Sequence, residues 1–376
     1  MISAVDTGRT MRRGLILFLT ILPLFLPSCV PDPVVPIDAR LLVADEGIVV
    51  LNEGIWRRNN AGLTLYSRAE SSAHTDWYGA INGGNSIGDT GNEIVLHDNK
   101  LWVILSESSI VEVLSMPSGR SVGRLRLPEG SSPRSLAFVN DSIAWVTALD
   151  VDRIYRFDPR TLELGADLPV GPAPEGIAVA AGRLFVANSG LGALRRSEPG
   201  AGTITVLDAI DGSSVGSIDI GGNLDNLVLI PTTGLLYCTI KATLPDTTGG
   251  AIVSLDPVRM TVEERISLPG TWLATIDPLR RQAWAISHRG LFSIDLFSAN
   301  ITGPSQPILR RAATYSTLAE EVPHALAIDP LRGEILIGYA RGYFQAPGRV
   351  DILTPDGAEI RTSFATGLNP VAILGY

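Results

Sequence analysis

Residues 91–108, GNEIVLHDNKLWVILSES, decide the fold of this chain. They hold a polar corner, a short apolar run, a tight His97-Asp98-Asn99 turn and a second apolar run carrying Trp102. Two strand-length runs joined by so short a polar link read as a hairpin. The same grammar recurs at PRSLAFVNDSIAWVTALD from Pro133, PEGIAVAAGRLFVANSG from Pro174 and LDNLVLIPTTGLLYCTIK from Leu224. It returns again at GTWLATIDPLRRQAWAISH from Gly270 and PHALAIDPLRGEILIGYA from Pro323. A third run follows most of these, as in TITVLDA and AIVSLDP, and then a fourth, as in SVGSIDIG and EERISLPG. The unit repeats every 41 to 53 residues. Four strands at that spacing make one blade of a β-propeller.

Six whole units start from residue 91. The chain then ends in NPVAILGY, a first strand with no second. At the other end, Ile48 to Asn52 reads as a second strand and Gly62 to Tyr66 as a third, with a poorly defined fourth near residues 75–82. Joined, the two ends make a composite blade that closes the ring and removes free sheet edges. The expected architecture is therefore all-β: a seven-bladed propeller of four-stranded blades, closed by N- and C-terminal strands.

Bulk properties agree. Apolar residues are 45% of 376, with 38 Gly and 25 Pro scattered as turn residues and no long helical pattern. The net charge is −9, and basic residues cluster no further than pairs such as Arg57-Arg58 and Arg280-Arg281. No stripe for a phosphate backbone exists, so nucleic acid is set aside as a partner.

The first residues read as an address. Arg12-Arg13 precede an apolar stretch from Gly14 to Leu26, which is interrupted by Pro23 and short for a membrane span. Leu26-Pro27-Ser28-Cys29 follows the pattern of a bacterial lipobox. The expected organisation is a lipoprotein signal peptide over 1–28, lipid on Cys29, a Pro-rich tether over 29–40 and the propeller over 41–376. The other cysteine, Cys238, lies in an apolar run and reads as a buried thiol.

Aligning the repeats sorts the aromatic residues. Trp102, Trp145, Phe185, Tyr237 and Trp284 share one position on the second strand and read as packing between blades. Trp56, Trp77 and Trp272 fall outside that pattern, and a solvent-facing binding role is one explanation.

In a propeller, first strands begin and second strands end around the channel on one face, where ligand sites gather. The corner positions form a varied ring: Asn92, Arg134, Glu175, Asp225, Thr271, His324 and Val371, with Glu93, Asn226 and Trp272 beside them. Second-strand ends add Asn52-Glu53, Asn188-Ser189, Lys241 and His288. From these, and from the loop that follows Asn52, the candidate ligand-binding residues are Asn52, Glu53, Trp56, Arg57, Arg134, Glu175, Asn188, Asp225, Asn226, Trp272, His288 and His324. Structural symmetry alone would tend to repeat one residue type at each corner.

Signals of catalysis are weak. Gly84-Asn85-Ser86-Ile87-Gly88 has the G-x-S-x-G spacing without the strand and helix a nucleophile elbow needs. The four histidines show no paired ligand spacing. A set of Glu53, Glu175, Asp225 and Asn188 offers oxygen ligands for a divalent cation, as in propeller lactonases, and leaves a metal-dependent hydrolase or lyase open. A third reading is an envelope interaction scaffold, with Tyr343-Phe344 as an apolar contact.

Several stretches resemble one family. They are Leu51-Asn52-Glu53-Gly54 with Asn59-Asn60 and Leu63 to Tyr66; Asn85 with Gly88-Asp89-Thr90; and PEGIAV with Leu184 to Gly190. Together they resemble the YncE-like propeller lipoproteins, including BtuG-type cell-surface proteins, over most of residues 45–376. The resemblance implies a non-enzymatic envelope lipoprotein, held by lipid in the outer membrane. BtuG-type members capture cobalamin, a corrinoid, and cap a TonB-dependent transporter. The leading expectation is therefore an envelope lipoprotein without a resident cofactor or metal that binds a small ligand, a transporter or a surface partner through the channel face, with a cobalamin-type corrinoid as one such ligand.

Overall fold

The computed structural model describes residues 46–243, 249–305, 321–342 and 345–376, all within the compact unit of residues 37–376. The expected signal peptide, Cys29, the tether and Tyr343-Phe344 lie outside the described residues.

The described strands form seven four-stranded antiparallel sheets, the blades of a β-propeller. The innermost strands of blades 1 to 6 are Gly91–His97, Pro133–Asn140, Pro174–Ala180, Asn223–Ile230, Thr271–Asp277 and Val322–Ile328. Blade 7 is composite: its inner strand, Pro370–Gly375, pairs with Gly47–Asn52, which pairs with Gly62–Ser67 and then Ser72–His74. Ile48 stands opposite Gly375 and Val50 opposite Ile373, so the first and last described strands are joined by an antiparallel ladder.

Burial explains the residue pattern along each blade. Second strands are covered on both faces by neighbouring blades and so read as continuous apolar runs. Ile48, Val49, Val50 and Leu51 have no exposed surface. Fourth strands touch a neighbour on one face only, and Thr261–Ser267 buries a single residue, Ile266. Seven hydrophobic clusters, one at each boundary between blades, make up the core. Trp102, Trp145, Phe185, Tyr237 and Trp284 sit in them, each at most 4% exposed. Trp145 also donates its indole N–H to the Ala209 carbonyl at 3.0 Å. Cys238 is a free, fully buried thiol in the cluster between blades 3 and 4.

Blade 7 corrects two expectations. Its fourth strand is Ser72–His74, before the 75–82 stretch, and Trp77–Ile81 is a short helix. Asp76 caps that helix by accepting from the Gly79 N–H at 3.2 Å. Trp77 is not solvent-facing. It is fully buried between blades 7 and 1, packed so closely on Gly119 that a Cβ there would lie 2.5 Å from the indole. The off-pattern position of Trp77 reflects this helix filling space left by a short fourth strand.

Candidate functional site

Strand polarity places the start of each inner strand and the end of each second strand on one face, the mouth of the channel. There the pairing between these two strands slips in all seven blades. The breaks lie between Gly91 and Glu93, Pro133 and Leu136, Pro174 and Ile177, Leu224 and Leu227, Thr271 and Leu273, and Pro323 and Ala325. In blade 7 the slip omits Val371. Such bulges leave residues unpaired and re-aim their side chains. The omitted residues are Asn92, Arg134-Ser135, Glu175-Gly176, Asp225-Asn226, Trp272, His324 and Val371, and every one of them lines a single cavity of about 540 Å³.

The rim is tied from blade to blade. Asn92 donates its amide to the Arg134 carbonyl at 2.8 Å. Arg134 grips Glu175 through two N–H···O bonds of 2.9 and 3.2 Å. Gly176 lets blade 4 approach, since a Cβ on it would lie 2.4 Å from the Asp225 carbonyl. Ala242 donates its backbone N–H to the Thr271 carbonyl at 2.6 Å, and Trp272 donates to the Pro323 carbonyl at 3.4 Å. His324 meets Glu53 at 3.0 Å, and Gly91 donates to the Glu53 carbonyl at 3.1 Å, which closes the circle. A ring linked in this way is held open and pre-formed.

Most of the charges are spent within the ring. Arg134 pairs with Glu175 and Lys241 with Asp225 at 2.6 Å, while the His324 ring hydrogen-bonds Glu53. Burial works against the Arg134 charge, but Glu175, then Asp225 and Glu53, more than offset it, so its pKa is raised. Burial likewise works against the Lys241 ammonium, and Asp225 followed by Glu175 holds it charged.

Glu93 is different. It lines the channel and is partly buried, and among the described residues no basic side chain pairs with it. Ser135 and the Leu136 backbone hydrogen-bond its carboxylate, while Oε2, itself without accessible surface, has no hydrogen-bond partner among the described residues. Burial, with a smaller contribution from the nearby Asp225 charge, pushes its pKa up to about 7 against those hydrogen bonds and Arg134.

Seven of the twelve candidates therefore line the cavity: Glu53, Arg134, Glu175, Asp225, Asn226, Trp272 and His324. Glu93 and Lys241, singled out for the ring but left out of the twelve, lie there too, as does Ser135, which the sequence did not suggest. The other five lie elsewhere. Asn52 and Asn188 point into their blades as structural twins. Asn52 donates to the Thr64 hydroxyl at 3.0 Å, and Asn188 to the Thr203 and Thr205 hydroxyls at 3.1 and 2.9 Å. Trp56 and Arg57 project from the loop after Asn52, outside the cavity wall, with the guanidinium 4.2 Å from the indole centroid. His288 is exposed and also outside it.

The oxygen ligands considered for a divalent cation do not converge. Glu53, Glu175 and Asp225 are each engaged by a different basic side chain, and Asn188 is turned away. Among the described residues, no group of three or more His, Cys, Asp or Glu side chains is placed to share a metal ion.

A family described as "Domain of unknown function (DUF5074)" matches residues 46–302. None of the curated proteins matches the chain. Among solved structures, the chain is similar to hydrazine synthase of Kuenenia stuttgartiensis, at 15% identity and a TM-score of 0.58. The match covers 76% of this chain and 89% of that one. At that identity the likeness concerns the propeller fold alone.

Proposed function

The chain belongs to the DUF5074 family, and we propose that its channel mouth captures a small polar ligand bearing an ammonium or comparable hydrogen-bond-donating group. One observation carries this reading: the Glu93 carboxylate lines the cavity with no basic partner among the described residues, where Arg134, Lys241 and His324 each already face a carboxylate. A carboxylate desolvated without a cation beside it is costly to keep charged, and an ammonium group of a ligand in the cavity would offset that cost. The paired rim charges and Trp272 then select shape and polarity rather than net charge.

In this reading the protein is a non-enzymatic envelope lipoprotein of the YncE-like kind. It is anchored through Cys29 in the outer membrane and hands its ligand to a TonB-dependent transporter. The Leu26–Cys29 motif and the LNEG block support that address. A corrinoid is too large to enter the cavity whole. It would rest across the mouth and lean on Trp56, which is 60% exposed.

Calorimetric titration of the protein with cobalamin, and with a panel of small organic cations, amino acids and sugars, tests both forms. Saturable binding of an ammonium compound, lost in Glu93→Gln, is expected for capture inside the cavity. Cobalamin binding that survives Glu93→Gln but falls in Trp56→Ala moves the site to the rim. Absence of heat across the panel at micromolar concentrations sinks the capture reading.

A further inference from the structure

The face opposite the mouth carries a second repeated feature. Asp158, Asp208, Asp256, Asp277, Asp295 and Asp329 each end or follow a strand there, and each accepts from the backbone N–H two residues on, at 2.8 to 2.9 Å. Five of them also accept from the next N–H, at 2.9 to 3.1 Å. This Asx turn fixes the tip of the loop. The residue it presents is Arg160 in blade 2, so the turn itself does not require an apolar residue. Yet the tips in blades 3 to 6 are Ile210, Val258, Leu279, Phe297 and Leu331, exposed by 51, 65, 66, 80 and 62%.

Arginines connect these tips. Arg183 donates to the Pro257 and Val258 carbonyls at 2.8 Å each, linking blade 3 to the blade 4 tip. Arg281 lies 4.8 Å from the Phe297 ring centroid, and Arg280 reaches the Pro330 and Leu331 carbonyls at 3.4 Å. The arc thus runs over four consecutive blades, with apolar tips and guanidinium groups side by side. That composition suits the boundary between lipid headgroups and acyl chains, where apolar groups insert and Arg stems lie along the surface.

The position of the N-terminal end of the described chain selects among occupants. Gly47–Asn52 runs toward the mouth, so Glu46 lies on the opposite face, and its carboxylate pairs with Arg332, the neighbour of Leu331. The described chain therefore enters the propeller at Glu46, on the face that carries the apolar arc. From Cys29 to Glu46 is 17 residues, which span at most about 60 Å when extended.

We propose that this face lies on a lipid bilayer, with Ile210, Val258, Leu279, Phe297 and Leu331 at the headgroup boundary, so that the mouth points away from the membrane. The proposal rests on the lipid at Cys29 for its tether and is independent of the ligand.

The test uses the full lipidated chain on vesicles of phosphatidylethanolamine and phosphatidylglycerol. An environment-sensitive fluorophore is placed at Leu279→Cys, Phe297→Cys or, on the other face, Trp56→Cys; Cys238 is buried and does not compete. Nitroxide-bearing lipids are expected to quench the 279 and 297 labels to about half or less and to leave the 56 label unchanged. Labels at 279 and 297 that stay in water on vesicle-bound protein overturn the proposal. Shielding of those labels without nitroxide quenching, together with a doubled mass, would assign the face to a second copy and also overturn it. The mass of the Cys29 peptide reads lipidation separately. A lipid-free peptide sinks the envelope reading, and if the 279 and 297 labels of that chain also stay in water, both fail.

Discussion

The two faces of this propeller solve the same repeat problem in opposite ways. At the mouth, every blade makes a bulge, but the residue it presents changes from Asn to Arg, Glu, Asp, Trp, His and Val. On the opposite face, six turns share the residue that shapes the loop, while others use Asn140, Thr233 or Thr354. An Asp caps each of six turns, and only the tip varies, within a mostly apolar range. Backbone geometry repeats on both faces because each blade has the same strands to connect. On the opposite face, the Asp repeats where hydrogen bonds to the backbone demand it. Where side-chain identity varies on a fixed frame, something other than folding sets the choice.

The sharpest way to break this comparison is to remove a residue that belongs to neither face. Trp145→Ala opens a cavity between blades 2 and 3 and abandons the bond to Ala209; a loss of about 3–5 kcal/mol is expected in denaturant unfolding. Trp77→Ala should cost a similar amount, about 3–5 kcal/mol, with ligand binding at the mouth unchanged at temperatures where it stays folded. A Trp77 variant that folds normally but loses binding would mean that the assignment of that residue to packing is wrong.

Glu93 tests the mouth. Its pKa rises from 4.5 to about 7 on folding, so the folded state holds a proton that the unfolded state has released between those values. Its contribution to stability is complete below pH 4.5 and is lost as pH rises through 7. The total is up to about 3 kcal/mol. Glu93→Gln should therefore unfold at higher denaturant than the parent above pH 7 and show a flatter pH profile between 4.5 and 7. An unchanged profile would show that Glu93 does not titrate there. Capture of an ammonium ligand by the carboxylate should also weaken as pH falls below 7, with proton release on binding detectable from the buffer dependence of the heat.

The opposite face should respond more mildly. Asp277→Ala removes two backbone caps and a partner of Arg280, for a loss of about 1–2 kcal/mol with no effect at the mouth. Phe297→Ser alters an exposed tip and its contact with Arg281, and should shift stability by less than about 1 kcal/mol. A larger loss would mean that the tip is folded into the structure and is not displayed on it.

The blade repeat, ring closure and packing aromatics were legible because they rest on local periodicity: short apolar runs separated by turn residues, with one large ring per second strand. Much of the mouth was legible too, since corners in a repeat fall at one position in the fold. What escaped was orientation. A strand alternates its side chains, and Asn52 and Asn188 end second strands next to channel residues while pointing into their blades. The bulges that bring both Asn92 and Glu93 to the channel leave no distinctive residue type behind. Trp77 escaped because a short fourth strand left space for a helix that no periodic pattern marks.

By itself, then, the sequence determined that the chain would form a closed ring of seven blades and which corner residues would gather at its mouth. Only the tertiary structure decided which carboxylate lacks a cation, because pairing depends on distances across blades: Arg134 reaches Glu175, Lys241 reaches Asp225, His324 reaches Glu53, and among the described residues no basic side chain pairs with Glu93.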